Sequence, residues 1–470
     1  MKNLYIYLLS VLFLMLTGCK VSKDVETPQP DLPVAYRNAI TTADTSTIAD
    51  IEWRTFFPDA TLQQLIDKAL SGNYDLQQAL KNIEASRLLL KQSKWGNVPQ
   101  LNAYVTASST IPSENSLNGL SANNFLGTSH VENYDAGLSL SWEADIWGKI
   151  SSRKKEALAQ YLKTEEAKKA IQTELVSGVA QGYYNLLMLD AQLSVARKNL
   201  DLSNNTVRII RMQFESGQVT SLAVEQAEAQ RLNAAQIVPM LEKEIVLQEN
   251  ALSVLTGELP AEIARIASID LEPVYENITT GVPAAVVSRR PDIKMFEYDL
   301  AAANARVGVT KAQMYPALNI TASGGLNSFK SDNWFNMPSS LFGIVAGSVA
   351  QPLLNNKRLR TQYEVAKVER EKAVLAFRQG VLVAVSEVSD ALVKIEKLKE
   401  EQQFAEQRVA SLQRATGNAD KLFNSGMANY LEVITAQSNV LQSELDLAAL
   451  KRDQLSALAE LYKALGGGWK

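Results

Sequence analysis

Between Tyr134 and Trp142 apolar and polar residues alternate strictly. Tyr134, Ala136, Leu138, Leu140 and Trp142 stand against Asp135, Gly137, Ser139 and Ser141. A period of two marks a strand with one apolar and one polar face. Residues 100–109 are expected to pair with it across a polar loop carrying Asn115, Asn118, Asn123, Asn124 and Gly127. Leu318, Ile320 and Ala322 alternate in the same way with Asn319, Thr321 and Ser323, and residues 341–350 supply the return strand. Each hairpin therefore has strands of roughly ten residues, the length that crosses a bilayer when tilted.

Elsewhere the period is helical. Leu62, Leu65, Ile66 and Leu70 lie on one face of a short helix over 60–70, and Asn73 is placed to cap a helix running to about Trp95, where Gly96 and Pro99 stop it. From Lys149 to about Met212 no proline intervenes, and Leu158, Leu162, Ile171, Leu175, Val179, Leu186, Leu193 and Leu200 mark an apolar face. At ~1.5 Å per residue, about 64 residues give nearly 100 Å of helix. Residues 357–422 repeat that pattern. Each long helix meets a glycine, Gly217 or Gly426, suited to a left-handed stop, and a helix returns over about 220–256 or 429–465. Pro239 should kink the first return arm. The return arms are too short to match the long helices. The helices over 73–95 and 291–314 are expected to stack end to end with them.

The chain states this plan twice. Phe214-Glu215-Ser216-Gly217 returns as Phe423-Asn424-Ser425-Gly426 at an offset of 209 (423 − 214), which also takes Gly257 to Gly466. Pro99 and Pro316 are offset by 217 (316 − 99), so the first copy holds about eight more residues between its proline and its Trp147-Gly148-Lys149 corner. The expected organisation is a signal segment over 1–18, a tether over 19–59, a first repeat over 60–282 and a second over 283–470. The expected fold class is mainly α with a membrane β-portion: long helical hairpins plus four β-strands per chain.

The N-terminus bears on compartment. Lys2 precedes an apolar core from Leu4 to Leu16, too short to span a bilayer, and Leu16-Thr17-Gly18-Cys19 has the form of a bacterial lipobox. Cys19 is the single cysteine, so acylation there leaves no thiol for a disulfide or for catalysis. Lys20 is not the Asp that favours inner-membrane retention. Sparse Gly (23) and Pro (14) suit long helices, and a net charge of −4 with no basic stripe gives no nucleic-acid footprint. One histidine, His130 in an expected external loop, and no phosphate loop or nucleophile elbow leave no catalytic site, metal site or cofactor to expect.

Trp53-Arg54-Thr55-Phe56-Phe57-Pro58-Asp59, Trp142-Glu143-Ala144-Asp145-Ile146-Trp147-Gly148-Lys149, Arg289-Arg290-Pro291-Asp292-Ile293, Gln351-Pro352-Leu353-Leu354 and Leu465-Gly466-Gly467-Gly468-Trp469 carry a resemblance across nearly the whole mature chain. The chain resembles the TolC-like outer-membrane factors of tripartite efflux pumps, in their lipid-anchored branch. The resemblance implies a homotrimer sharing a 12-stranded barrel and a helical tunnel. It also implies a periplasmic adaptor and an inner-membrane RND-type pump as partners, outer-membrane lipid around the barrel, and passive conduction of drugs, dyes or metal ions. It implies that the tips at Phe214, Gly217 and Leu222 and at Phe423, Gly426 and Leu431 meet the adaptor. Leu431 matches an apolar gate ring. The acidic ring position falls on Thr435, a departure, with Glu432 nearby. A second departure is the corner at Asn356-Lys357, where the family usually carries glycine. Protein export through the same kind of channel, and a pore-free coiled-coil scaffold, remain as alternatives. Trp142 and Trp147 either sit in an aromatic girdle or pack at the corner. Arg290-Pro291-Asp292 reads first as a helix start.

Overall fold

The computed structural model describes residue 36, residues 48–271, residue 283 and residues 288–470. The signal segment, Cys19 and most of the tether lie outside the described residues. In chain order the main elements are α1 (Ala60–Gly72), α2 (Tyr74–Lys94), β1 (Gln100–Thr110), β2 (Val131–Ala144), α3 (Lys149–Glu215), α4 (Ser221–Thr256), α5 (Pro291–Ala312), β3 (Ala317–Ser328), β4 (Leu341–Ala350), α6 (Arg358–Asn424) and α7 (Tyr430–Ala464). The two long helices have 67 residues each and begin and end at the offset of 209 (358 − 149 and 424 − 215). The connection over 111–130 exceeds that over 329–340 by eight residues (20 − 12), and it holds a short helix at Leu117–Ser121. The extra residues of the first repeat therefore sit in the β1–β2 loop.

One compact unit comprises residues 84–162 and 297–375, with the N-terminal segment assigned to it lying outside the described residues. Its centre is a single antiparallel sheet in the order β1-β2-β3-β4. The register places like with like: Val105 faces Ala136, which faces Leu326, which faces Leu341; Leu101 faces Leu140, then Ala322, then Val345. One face is thus apolar from edge to edge, and its outer-strand side chains are exposed. The other face is lined by Asn102, Thr106, Ser139, Asp135, Ser323 and Asn327, with Phe342 and Ile344 on the β4 edge. Gly137 and Gly325 face each other at the centre. A Cβ on Gly325 would lie 2.1 Å from the Ala136 carbonyl oxygen, so only glycine permits this approach of the two repeats.

The strand-to-helix corners explain the tryptophans. Trp142 Nε1 donates to the Asn97 carbonyl at 2.9 Å, and Trp147 Nε1 donates to the Pro316 carbonyl at 2.7 Å while its ring stacks on Tyr315. Both therefore pack at the corner. Asp145 caps α3, accepting from the Ile150 and Ser151 amides at 2.8 Å each. Gly148 takes φ +74° there, but in the second repeat Asn356 and Lys357 take φ +55° and +61°. The chain makes the same left-handed corner without glycine, at a cost of about 1–2 kcal/mol per residue.

The second unit comprises residues 29–83, 163–296 and 376–470, some of them outside the described set. Its core gathers Trp53, Phe56, Phe57, Leu62, Ile66, Tyr183, Leu186, Leu252, Leu461 and Tyr462, all buried. Phe56 stacks on Tyr462 with centroids 4.2 Å apart, and Phe57 meets the same ring edge-on. Asp59 caps α1 by accepting from the Thr61 amide at 2.7 Å and also accepts from the Tyr183 hydroxyl. The stretch from Trp53 to Asp59 is therefore a core plug with a helix cap. Arg265 ties the loop after α4 to α3 and α4 through Asp190 at 2.5 Å and Glu249 at 2.6 Å. α4 runs through Pro239 as one helix, so the proline does not interrupt the return arm.

Both repeats join a return arm to the helix that precedes a hairpin, and they do so by the same device. Asn73 Nδ2 donates to the Leu255 carbonyl at 3.0 Å, and Arg290 Nη1 donates to the Ala464 carbonyl at 2.9 Å. The donors are offset by 217 (290 − 73) and the acceptors by 209 (464 − 255). These are the two offsets seen in the sequence. Carbonyls in the last turn of a helix lack intrahelical partners. Here the residue preceding the next helix supplies one. Asn73 also caps α2 by accepting from the Leu76 amide at 3.0 Å. The end-to-end stacking expected from helix lengths is realised at these joints.

Candidate functional site: the paired helix-turn-helix tips

Both tips lie in the second unit and are built alike. The Gly217 amide donates to Phe214 O at 2.9 Å and the Gln218 amide to Gln213 O at 2.8 Å; the Gly426 amide donates to Phe423 O at 3.0 Å and the Met427 amide to Leu422 O at 2.8 Å. Gly217 and Gly426 take φ +73° and +74°. Each is a Schellman stop, in which a left-handed residue lets two amides satisfy the last carbonyls of the helix.

The side chains break the symmetry. Phe423 is 5% exposed, in a cluster with Val207, Ile210, Ala223, Ala227 and Val433, so the second repeat inserts a ring between α3 and α4 of the first. Its counterpart Phe214 is 46% exposed. Tyr430 Oη donates to Gln226 Oε1 at 2.8 Å, a second link between the tips. Deeper in, Gln437 Nε2 donates to Thr206 Oγ1 at 3.0 Å and Asn199 Nδ2 donates to the Gln437 carbonyl at 3.2 Å. Burial raises the Asp420 carboxyl above its ordinary value, partly offset by a hydrogen bond with Gln437. The sequence reading passed over Thr206, Asp420 and Gln437. The signal available was a polar residue set among core-facing positions such as Val207, Val433 and Val440.

Caps differ as well. Asn429 and Glu432 form a capping box: the Asn429 side chain accepts from the Glu432 amide at 3.1 Å, and the Glu432 carboxylate accepts from the Asn429 amide at 2.9 Å. The first tip has Thr220 at the cap with no side-chain bond, and Ala223 where Glu432 would stand. Leu222, Leu431 and Thr435 are exposed. Leu431 and Thr435 are four residues apart, on one face of α7. Of the expected acidic and apolar gate positions, Leu431 and Thr435 are exposed in the single chain, and Glu432 turns back onto its own helix end. On the flank of the first tip Arg231 clasps Glu228 at 2.7 Å with Arg211 at 3.5 Å. His130 is exposed, 3.8 Å from Glu132. Among the described residues no cluster of three or more His, Cys, Asp or Glu could hold a metal ion.

A membrane-length sheet with an exposed apolar face, and helical hairpins closed by glycine stops, are the parts of an outer-membrane efflux channel. The chain belongs to the outer membrane efflux protein family, whose model matches residues 65–258 and 282–467. It is 30% identical over 98% of its length to the toluene efflux pump outer membrane protein TtgF of Pseudomonas putida, covering 97% of that protein. It is 29% identical over 97% of its length to the cation efflux system protein CusC of Escherichia coli, again covering 97%. A crystal structure of a membrane protein from Pseudomonas aeruginosa matches with a TM-score of 0.85 at 27% identity, covering 96% of this chain and 98% of that one. The protein is thus the outer-membrane channel of a tripartite efflux system, which sets aside the protein-export and pore-free scaffold readings.

Proposed function

We propose that three copies close one barrel of twelve strands, that Cys19 is acylated, and that the barrel serves as the exit duct for an adaptor and an RND-type inner-membrane pump. The open sheet carries this reading. Among the described residues β1 and β4 each end the sheet with an unpaired edge, and in lipid an unpaired edge leaves backbone groups without partners. Four strands are too few for closure, since single-chain barrels need about eight. Other copies supply the missing strands. Native mass spectrometry of the detergent-extracted mature protein tests it: the expected mass is a trimer carrying acyl chains, and a stable folded monomer would overturn the shared barrel.

The adaptor meets the tips around Phe214, Gly217 and Leu222 and around Phe423, Gly426 and Leu431, and Leu431 with Thr435 lines the closed end. Support comes from the exposure of Phe214, Gly217, Leu222, Gly426 and Leu431, whereas Phe423 is buried and acts only by holding its tip in place, and from the engagement of Glu432 in its cap, which leaves the apolar Leu431 as the barrier. Leu431→Ser should therefore raise uptake of a bulky antibiotic in cells expressing it, and unchanged uptake would remove Leu431 from the gate. TtgF and CusC are named for toluene and for cations at nearly equal identity to this chain. Cargo choice accordingly lies with the pump, and the duct conducts either class without coordinating it.

A further inference from the structure

The helix-side ends of the four strands lie in one row: Gln100 faces Ser141, Ala144 faces Leu318, and Ala317 faces Ala350. The chain segments that continue from those ends therefore sit along one edge of the sheet. Those segments, 91–99, 145–156, 306–316 and 351–360, carry eleven Lys and Arg and two acids, in a chain whose net charge is −4. Both acids are engaged: Asp145 caps α3, and Glu156 pairs with Arg306 at 3.2 Å. A further carboxylate at the end of β2, Glu143, is paired with Lys149.

The fourth segment is the most telling. Leu353 and Leu354, which follow β4 after Gln351 and Pro352, are 88% and 99% exposed in the single chain. Lys357, Arg358 and Arg360 follow, all exposed and with no ion pair among the described residues. Arg358 borders a cavity that it shares with Glu143 and Lys149, which are paired to each other. In the first repeat the matching positions are Gly148, Lys149 and Ser151. Where glycine makes the left-handed turn without strain, the second repeat keeps Lys357 at φ +61°. A strained backbone retained where a cheaper residue would serve points to a use for the side chain. Tyr315, which lines the same cavity as Arg358, is exposed, and Trp95 is exposed in the segment leading into β1; both are amphipathic rings of the kind that favour a membrane–water boundary.

We propose that this collar is a binding surface for anionic glycerophospholipid on the periplasmic leaflet, with Leu353 and Leu354 set among the acyl chains and Lys357, Arg358 and Arg360 on the headgroup phosphates. Apolar side chains followed, after Asn355 and Asn356, by cations match the order in which a chain leaving the bilayer meets hydrocarbon and then phosphate. The inference rests on the sheet being the membrane-spanning part.

The test measures thermal stability of the intact assembly in uncharged detergent, with phosphatidylglycerol, with phosphatidylcholine, or with inorganic phosphate added. Phosphatidylglycerol should raise the melting temperature most, and the increment should vanish in K357Q/R358Q/R360Q and in high salt. Lys357→Gly should melt higher than the parent without lipid, because strain is relieved, and yet gain less from phosphatidylglycerol. Equal stabilisation by both lipids would overturn the charge recognition and leave the membrane reading standing; no effect of either lipid would count against both. A full increment from inorganic phosphate, or retention of the phosphatidylglycerol increment in the triple variant, would also overturn it. Loss of the assembly in lipid-free detergent on triple substitution would show instead that the patch joins copies of the chain.

Discussion

Replacing Arg290 with Met should lower the stability of the second unit by about 3 kcal/mol, near the low end of the range for breaking a buried charge network. Arg290 is 6% exposed. It donates to Asp292 at 3.0 and 2.7 Å, forms an ion pair with Glu387 at 2.7 Å and donates to the Ala464 carbonyl at 2.9 Å. Burial works against its charge, and the bonds and charges of Asp292 and Glu387 outweigh that, holding it above its ordinary value. The low end applies because both carboxylates are more than 40% exposed and water can solvate them once the arginine is gone. What cannot be recovered is the clamp on α7 and its packing. Lys at this position keeps a charge but not the planar fork that serves three acceptors, so Arg290→Lys should still cost about 1–2 kcal/mol. The matching change in the first repeat, Asn73→Ala, removes a neutral amide and should cost about 1 kcal/mol. Apparent melting temperatures at a fixed scan rate rank the three, since a membrane assembly unfolds irreversibly. An Asn73→Ala variant less stable than the Arg290→Met variant would show that the arginine is not the main fastener.

The second large effect is expected at the tips. Phe423→Ala should cost about 3–4 kcal/mol locally, the range for emptying a buried phenylalanine site. Phe214→Ala should cost under about 1 kcal/mol, as exposed positions do. The two residues hold the same place in the repeat, and burial alone separates them. Phe423 lies between α3, α4 and the start of α7, so its loss removes the apolar part of the link between the tips and leaves the Tyr430–Gln226 bond to hold them. Single-channel conductance in planar bilayers should rise for Phe423→Ala and stay at the parental value for Phe214→Ala, and hydrogen exchange of residues 421–434 should accelerate in the first variant alone. Equal behaviour of the two variants would mean that the tips are held by some other contact.

Most of the architecture was legible before any coordinate. The alternation from Tyr134 to Trp142 gave the central strand because a pleated chain exposes every second residue to the same face. The Gly217 and Gly426 stops were legible because few residues other than glycine reach their backbone angles at low cost. The constant offset of 209 foretold two long helices of matching length, expected at about 64 residues from the proline-free run and found at 67. The turn glycines were located to the residue and the helix ends only approximately, and the difference between Phe214 and Phe423 was hidden. It depends on which of two similar hairpins intrudes on the other, and both carry the same Phe-x-Ser-Gly text. The role of Arg290 was legible only in part: Pro291 and Asp292 announced a helix start, but the acceptors Glu387 and Ala464 lie far along the chain.

The sequence by itself determined the local periods, the turns, the duplication and the family, because each depends on neighbours a few residues away or on text that can be compared directly. Tertiary structure alone decided what the distant segments do together. Four short stretches, each no more basic than many solvated helix ends, become one cationic row only when the strand register brings their ends into line. A neutral Asn73 and a charged Arg290 are seen to do the same work only when each is found on the last-turn carbonyl of a returning helix. Both arise from long-range pairing, which no local pattern of apolar and polar residues encodes.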